Sequence, residues 1–266
     1  MPHEHVLTEV VDHVAWITIN HPERHNSFDH ETIEALTKAV ASFGHDASIG
    51  AIVITGAGDK AFCAGGYLAD LAAGDLSRLR PLFFGLLEVT NAIRRARQPV
   101  IAAVNGFAVG GGNELVVACD FAIASEHAVF GQTGPRIGSS PVIGATNLLS
   151  LCIGEKRAKE VSMLCRKYTA AQAYAMGWIN EVVPHADLRT RVRGWCDEIL
   201  ALSPRYLEIS KHSSNYWWDL LQPGLVQGLG MVWASAGSAE MLEGAQAFME
   251  KRKPDFMQFR KDESLR

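Results

Sequence analysis

Three consecutive glycines followed by a carboxylate form the pattern in this sequence that is best suited to chemistry. The apolar run Pro99–Val104 precedes Gly110-Gly111-Gly112, and Glu114 then opens an apolar helical segment. Glycines leave backbone N–H groups uncovered, and at a helix N-terminus these donors lie at the positive end of the helix dipole. An oxygen that gains negative charge is the expected ligand, with Glu114 transferring a proton beside it. The pattern therefore predicts a site that stabilises an enolate.

A second segment of small residues, Ala64-Gly65-Gly66, follows another strand-like run. If both strands lie in one sheet, both glycine loops leave it at the same edge, where ligands of open α/β sheets bind. N–H groups from the two loops would then reach one carbonyl oxygen, and one such donor contributes about 3 kcal/mol in a transition state. The alternative is that these glycines only permit turns. The pairing of the two loops with Glu114 favours the oxyanion site.

The elements that must position these residues alternate between strands and helices. Strands are predicted at Val6–Val11, His13–Asn20, Gly50–Thr55, Phe62–Gly66, Pro99–Val104, Cys119–Ser125 and Val129–Gln132. Helices are predicted after the N-cap Asp29 and at Leu79–Arg97, Ala145–Ile153, Glu155–Cys165, Ala170–Met176, Leu188–Leu202, Ser203–Ser213 and Val232–Met249. Strands separated by helices indicate βαβ units and a largely parallel sheet. The predicted fold class is α/β, with residues 1–200 as the core and residues 201–266 as a helical C-terminal subdomain.

Composition limits the classes of function. The chain has 266 residues, of which 48% are hydrophobic and 20% charged, and its net charge of −4 argues against a nucleic-acid-binding protein. No run reaches the roughly 18 apolar residues of a membrane span, and no signal-peptide pattern is evident. Five scattered cysteines without a C-x-x-C pair predict reduced thiols and a cytoplasmic location. From the sequence, no metal site is expected.

Several segments together resemble the crotonase (enoyl-CoA hydratase/isomerase) superfamily: Phe62–Gly66, Pro99–Gly106, Gly110–Gly112, Cys119-Asp120 and Ala173–Val183. The resemblance implies a spiral ββα core, and it makes the C-terminal subdomain a trimerisation region. The implied assembly is a homotrimer or a hexamer formed as a dimer of trimers. It also implies acyl-CoA thioester substrates, with coenzyme A as part of the substrate and no other cofactor. The N–H groups of Gly66 and Gly111 would hold the enolate oxygen.

Hydratases of this family resemble one another in having two glutamates. Glu114 matches the first, but Gly134 occupies the position of the second. The loop Phe130–Ser139 and the ending Glu243–Phe256 are instead similar to a branch containing dihydroxynaphthoyl-CoA synthases and hydrolases that open oxocyclohexane- and oxocyclohexene-carbonyl-CoA rings. We expect the glycine to open space for a ring on one face of the enolate.

The expected function is ring-opening C–C hydrolysis, hydration, or both, of an alicyclic oxo- or enoyl-CoA. An ordinary enoyl-CoA hydratase or isomerase that uses Glu114 alone is the alternative within the family. An alternative of another class is a non-catalytic relative that binds RNA or coenzyme A. The acidic charge balance opposes the RNA-binding alternative.

Further candidates surround the two glycine loops. Glu88, on the helix between them, is a candidate substitute for the missing acid, and a solvated helix position is the alternative. Thr133 and Ser139 are candidates for positioning water, and solvated hydroxyls are the alternative. For coenzyme A, the resemblance implies contacts from Arg24, His25, Ala64, Leu68, Phe107 and Lys251.

Overall fold

The computed structural model describes residues 5–260, which form ten strands and eleven α-helices. The strands are β1 (Val6–Val11), β2 (Val14–Ile19), β3 (Ala51–Gly56), β4 (Ala61–Cys63), β5 (Val100–Val104), β6 (Phe107–Val109), β7 (Phe121–Ser125), β8 (Val129–Gly131), β9 (Lys167–Thr169) and β10 (Glu181–Val183). The helices are α1 (His30–His45), α2 (Leu68–Ala73), α3 (Leu76–Arg95), α4 (Gly111–Ala118), α5 (Leu148–Ile153), α6 (Glu155–Leu164), α7 (Ala170–Met176), α8 (Leu188–Leu200), α9 (Pro204–Ser214), α10 (Tyr216–Ala234) and α11 (Ala239–Met249).

The larger sheet has six strands in the order β1-β2-β3-β5-β7-β10, and only the β1–β2 pair is antiparallel. Its central strands are buried on both faces, as expected for a parallel sheet covered on both sides. Side chains alternate between two apolar clusters: Ile52 and Ile54 face one, whereas Val53 faces the other, where α8 packs. The α/β prediction is confirmed.

The smaller sheet positions both glycine loops. Its order is β4-β6-β8-β9, and β4, β6 and β8 run parallel. Ala64-Gly65-Gly66 follows β4 and Gly110 follows β6, so the loops leave neighbouring parallel strands, as expected. The strand before the glycine triplet is β6 and not Pro99–Val104, because the chain turns between the sheets at Gly106. A Cβ there would lie 2.2 Å from the carbonyl oxygen of Lys60.

Local signals account for α1. The Asp29 carboxylate accepts a hydrogen bond from the N–H of Thr32 at 2.9 Å, which satisfies one of the free donors of the first turn. Ile33, Leu36 and Val40 then recur at helical spacing and are buried. The N-cap predicted at Asp29 is therefore confirmed.

The C-terminal region is helical and packs against the core, with α11 on α2 and α10 on α3. Lys211 of α9 pairs with Asp120 at 2.7 Å in a buried ion pair. The predicted helix Val232–Met249 is wrong in one respect, because it is interrupted between Ala234 and Ala239. Gly237 adopts a φ of +77° there, and Ser238 caps α11. Within residues 5–260, no helix combines the length and apolar character that crossing a bilayer demands.

Candidate active site

A largely apolar cavity lies where the glycine loops, α2, α3 and the segment after β8 meet. Its apolar wall is formed by Phe28, Leu68, Leu71, Leu82, Phe83, Leu86, Ile137, Pro141, Val142 and Ile143. Its polar part comprises Glu114, Gln132, Thr133, Ser139 and Ser140, together with backbone of the glycine loops. A concave apolar surface with a few convergent polar groups is typical of a small-molecule site.

Two backbone N–H groups at this cavity have no acceptor among the described residues. Phe28 and Gly66 form an isolated parallel β-bridge. In it the Phe28 N–H donates to Gly65 O, and the Tyr67 N–H donates to Phe28 O. This pairing leaves the N–H of Gly66 unused. Gly111 is the first residue of α4, where N–H groups have no partner within the helix. Both residues line the cavity, and neither N–H has an acceptor among the described residues.

The two loops that carry these amides are in direct contact. Gly65 adopts a φ of +87°, and a Cβ on it would lie 2.9 Å from the nitrogen of Gly111. A Cβ on Gly111 would lie 2.5 Å from Cζ of Phe28, and one on Gly112 would lie 2.0 Å from the carbonyl oxygen of Cys63. The glycines thus do more than permit turns, since side chains at these positions would force the loops apart.

Glu114 lies in the first turn of α4 and is 5% exposed. Its Oε1 accepts a hydrogen bond from the N–H of Ile143 at 2.7 Å, and the N–H of Ala145 also donates to the carboxyl group. Burial raises the pKa of Glu114 from 4.5 to about 8, although the two N–H donors oppose this rise. Burial thus favours the neutral carboxylic acid, which offers both a proton to donate and an oxygen to accept one.

The structure changes the interpretation of Gly134. A Cβ at this residue would lie 3.0 Å from Pro141 Cδ, Ser139 O and Ser140 Cα. The expectation that the glycine opens space here is therefore wrong, because the loop 139–143 fills that space. Gly134 O accepts a hydrogen bond from the N–H of Ser139 at 2.8 Å, which holds the loop closed. The same loop supplies the Ile143 N–H that binds Glu114.

Most of the predicted site residues do meet at the cavity. Residues that line it are Ala64, Gly66, Leu68, Gly111, Glu114, Thr133, Gly134 and Ser139. Glu88 does not reach it, because it is exposed on the outer side of α3 and borders two surface grooves instead. Glu88 therefore cannot replace a missing acid in this arrangement.

The charged and aromatic residues expected to contact coenzyme A lie outside the cavity. The Arg24 guanidinium pairs with Asp29 at 2.6 Å and stacks 4.7 Å from the centroid of the Tyr67 ring. The rings of His25 and Phe107 are 6.3 Å apart. Lys251 is exposed just after the end of α11. Arg24 thus lies against Tyr67, which directly follows the first glycine loop, whereas Lys251 lies after α11.

Two features outside the cavity were not predicted from the sequence. The Lys167 ammonium lies 5.3 Å from the centroid of the Phe107 ring, so a cation and the His25 ring both contact the same Phe107 side chain. Because β9 has three residues, no periodicity marked Lys167. His5, His21 and Asp29, none of which lines the cavity, place one ligand atom each within 4.8 Å of one another, although no metal was expected.

Gln132 is the main cavity residue that the sequence pattern did not reveal. It follows β8 directly, and the residue is 1% exposed. Neither its amide nitrogen nor its amide oxygen has a partner among the described residues. One feature of the sequence could have identified Gln132, namely a polar amide immediately after a buried strand. Strand ends in such sheets border ligand sites.

Comparison with known proteins gives consistent matches over nearly the whole chain. The model of the family described as Enoyl-CoA hydratase/isomerase matches residues 9–260. An enoyl-CoA hydratase from Bacillus anthracis is 31% identical, with a TM-score of 0.78, over 94% of this chain and 98% of that chain. A carnitinyl-CoA hydratase from Mycobacterium avium is 30% identical, with a TM-score of 0.85, over 96% of this chain and 99% of that chain. An enoyl-CoA hydratase from Mycobacterium avium subsp. paratuberculosis K-10 is 27% identical, with a TM-score of 0.85, over 96% of this chain and 99% of that chain.

Proposed function

Because the chain belongs to the enoyl-CoA hydratase/isomerase family and has its crotonase-like fold, we propose that it is an acyl-CoA hydratase with a single catalytic carboxyl, that of Glu114. One observation carries this proposal: two unused amides and one buried carboxyl border the same cavity. Among the described residues that line the cavity, Glu114 alone has a carboxyl group. Both proton transfers of a hydration are therefore assigned to its two oxygens.

In the proposed reaction, water and the neutral carboxyl group act together on an enoyl thioester. The water oxygen forms a bond to the β-carbon, and the double-bond electrons move toward the thioester oxygen. The N–H groups of Gly66 and Gly111 stabilise the negative charge that develops there. Glu114 delivers its proton to the α-carbon, and its other oxygen takes the proton that water releases. The carboxyl group ends neutral, as it began, which suits a buried position.

Ring-opening hydrolysis is the second candidate, and the lack of a second carboxyl among the described residues at the cavity favours it. Water would attack the ketone of a β-oxo ring thioester, and the ring C–C bond would break. Its electrons would leave as the thioester enolate, held by the same two amides. Glu114 would protonate the α-carbon and receive a proton from water, yielding a linear carboxylic acid.

The expected coenzyme A contacts and the assembly remain proposals. We propose that Arg24, His25, Ala64, Leu68 and Phe107 border the nucleotide and pantetheine, with Lys251 at a phosphate and Thr133 and Ser139 near the attacking water. Exposed apolar side chains on the C-terminal helices support a homotrimer or a dimer of trimers: Tyr206, Ile209, Trp217, Leu220, Val226 and Met231. A cytoplasmic location and a subdomain boundary near residue 200 also remain predictions.

Product analysis in heavy-oxygen water tests the proposal. Crotonyl-CoA, 2-oxocyclohexanecarbonyl-CoA and 6-oxocyclohexenecarbonyl-CoA are incubated separately with the protein, and products are identified by mass spectrometry. A hydroxyacyl-CoA carrying heavy oxygen from crotonyl-CoA supports hydration. A linear product with heavy oxygen in its free carboxylate supports ring opening instead. Turnover of none of the three thioesters would contradict both reactions and favour a non-catalytic binder.

A pair of glutamate variants identifies the acid. Glu114→Gln should lower kcat by about 100- to 10,000-fold, since the amide cannot transfer a proton. Glu88→Gln is the matched control, and it should retain turnover because Glu88 is exposed outside the cavity. Equal losses in the two variants would remove Glu114 from its assigned role.

A further inference from the structure

Gln132 carries a buried amide that the fold itself does not use. Gln132 is 1% exposed, and it lines the same cavity as Glu114 and Gly111. Both polar atoms of the amide lack partners among the described residues. A buried amide without hydrogen bonds destabilises the folded state, and an apolar side chain of similar size would avoid that cost. Such a residue points to a ligand that completes its hydrogen bonds.

The position of Gln132 distinguishes it from the other buried groups without partners. Asn113 also has an unpaired amide and is fully buried, but it does not border the cavity. The hydroxyl-bearing residues Thr133 and Ser139 do border the cavity but are half-buried, so solvent reaches them. Gln132 therefore combines enclosure, cavity contact and unused hydrogen-bonding capacity.

We propose that Gln132 is a specificity-determining residue that binds an oxygen on the β-carbon of the acyl group. This inference rests on the proposed acyl-CoA function. The thioester oxygen is assigned to the amides of Gly66 and Gly111, and Glu114 acts at the α-carbon, which leaves a β-oxygen as the next polar group of the substrate. The Gln132 N–H₂ donates to a ketone or hydroxyl oxygen, and its carbonyl oxygen accepts from a hydroxyl. The ligand class is thus the 3-hydroxyacyl thioester that hydration forms, or the 3-oxo thioester of the ring-opening reaction.

Binding of two thioesters that differ at the β-carbon tests this assignment. Dissociation constants of acetoacetyl-CoA and butyryl-CoA are measured by calorimetry for the wild-type protein and for Gln132→Met, which keeps the volume and removes the amide. We expect acetoacetyl-CoA to bind about tenfold more weakly to the variant, and butyryl-CoA to stay within about twofold of wild type. Asn113→Leu is the matched control, because it removes an unpaired amide outside the cavity. It should leave the ratio of the two affinities unchanged.

Thermal unfolding separates a ligand-binding role from a structural one. Since the amide has no partner in the described fold, Gln132→Met should melt at or above the wild-type temperature. Melting more than about 5 °C lower, or equal weakening of both thioesters, would overturn the proposal. Gln132→Asn keeps the amide but shortens its reach, and it should lose the preference for acetoacetyl-CoA as well. Failure of wild-type protein to bind butyryl-CoA would instead contradict the acyl-CoA function itself.

Discussion

Replacing Glu114 by glutamine should alter how protein stability depends on pH. The rise of the Glu114 pKa from 4.5 to about 8 corresponds to about 5 kcal/mol of differential interaction between its two protonation states. In the unfolded chain the carboxyl loses its proton near its ordinary pKa, whereas in the folded protein it keeps the proton until about pH 8. Between these values the folded state binds more protons, so the free energy of unfolding falls as pH rises.

Glutamine keeps the shape of the neutral acid and does not titrate, so it provides the reference. The free energy of unfolding of the wild type, relative to Glu114→Gln, should drop by about 3 to 4 kcal/mol between about pH 5 and about pH 8. Denaturant unfolding at the two pH values measures it, with salt and protein concentration held constant because subunit association would add to stability.

Two outcomes would refute this reasoning. A difference between the two proteins that is constant within about 0.5 kcal/mol would mean that Glu114 titrates near its ordinary pKa. A wild type that gains stability relative to the variant as pH rises would mean that the Ile143 and Ala145 N–H groups stabilise the anion more than burial destabilises it. In that case Glu114 would start the reaction as a base.

Three other substitutions test contacts around the site and the core. Gly65→Ala should fold but lower kcat/KM by about 100-fold, because its Cβ would lie 2.9 Å from the nitrogen of Gly111. Unchanged kinetics would argue against the oxyanion site. Gly134→Glu should lower the melting temperature without accelerating crotonyl-CoA hydration, since the Cβ meets three atoms at 3.0 Å; faster hydration would show that the loop yields. Lys211→Met should lower the free energy of unfolding by about 3 to 5 kcal/mol, because it leaves Asp120 without its buried partner. Urea titration measures this change, and a variant as stable as the wild type would contradict the prediction.

Several features of the site follow from short stretches of sequence. The glycine triplet with Glu114 one turn later, and the second loop at Gly66, depend on local geometry, because glycine conformation and helix starts are set by neighbouring residues. The N-cap at Asp29 is local for the same reason. These local signals predict each group separately, whereas the meeting of the two loops depends on the parallel pairing of β4 with β6.

Other features could not be predicted from the sequence, because they depend on contacts between segments that are far apart in the chain. The three-residue strands β9 and β10 are too short to show a period, and they become strands only by pairing with β8 and β7. Glu88 is an acidic residue on α3, a helix that does border the cavity. It lies on the exposed face of that helix and not on the face that lines the cavity. Pattern alone does not distinguish the two faces of a helix that borders both cavity and solvent.

The sequence by itself determined which groups are available: two glycine loops, one carboxyl group at Glu114, and no carboxyl at Gly134. Only the tertiary structure decided what surrounds them. The loop 139–143 closes over Gly134 and donates to Glu114, and burial raises the pKa of that carboxyl to about 8. Burial also encloses the amide of Gln132 without a partner among the described residues. The physical reason is that backbone geometry is set by adjacent residues, whereas solvent exclusion requires contacts between segments that are far apart in the chain.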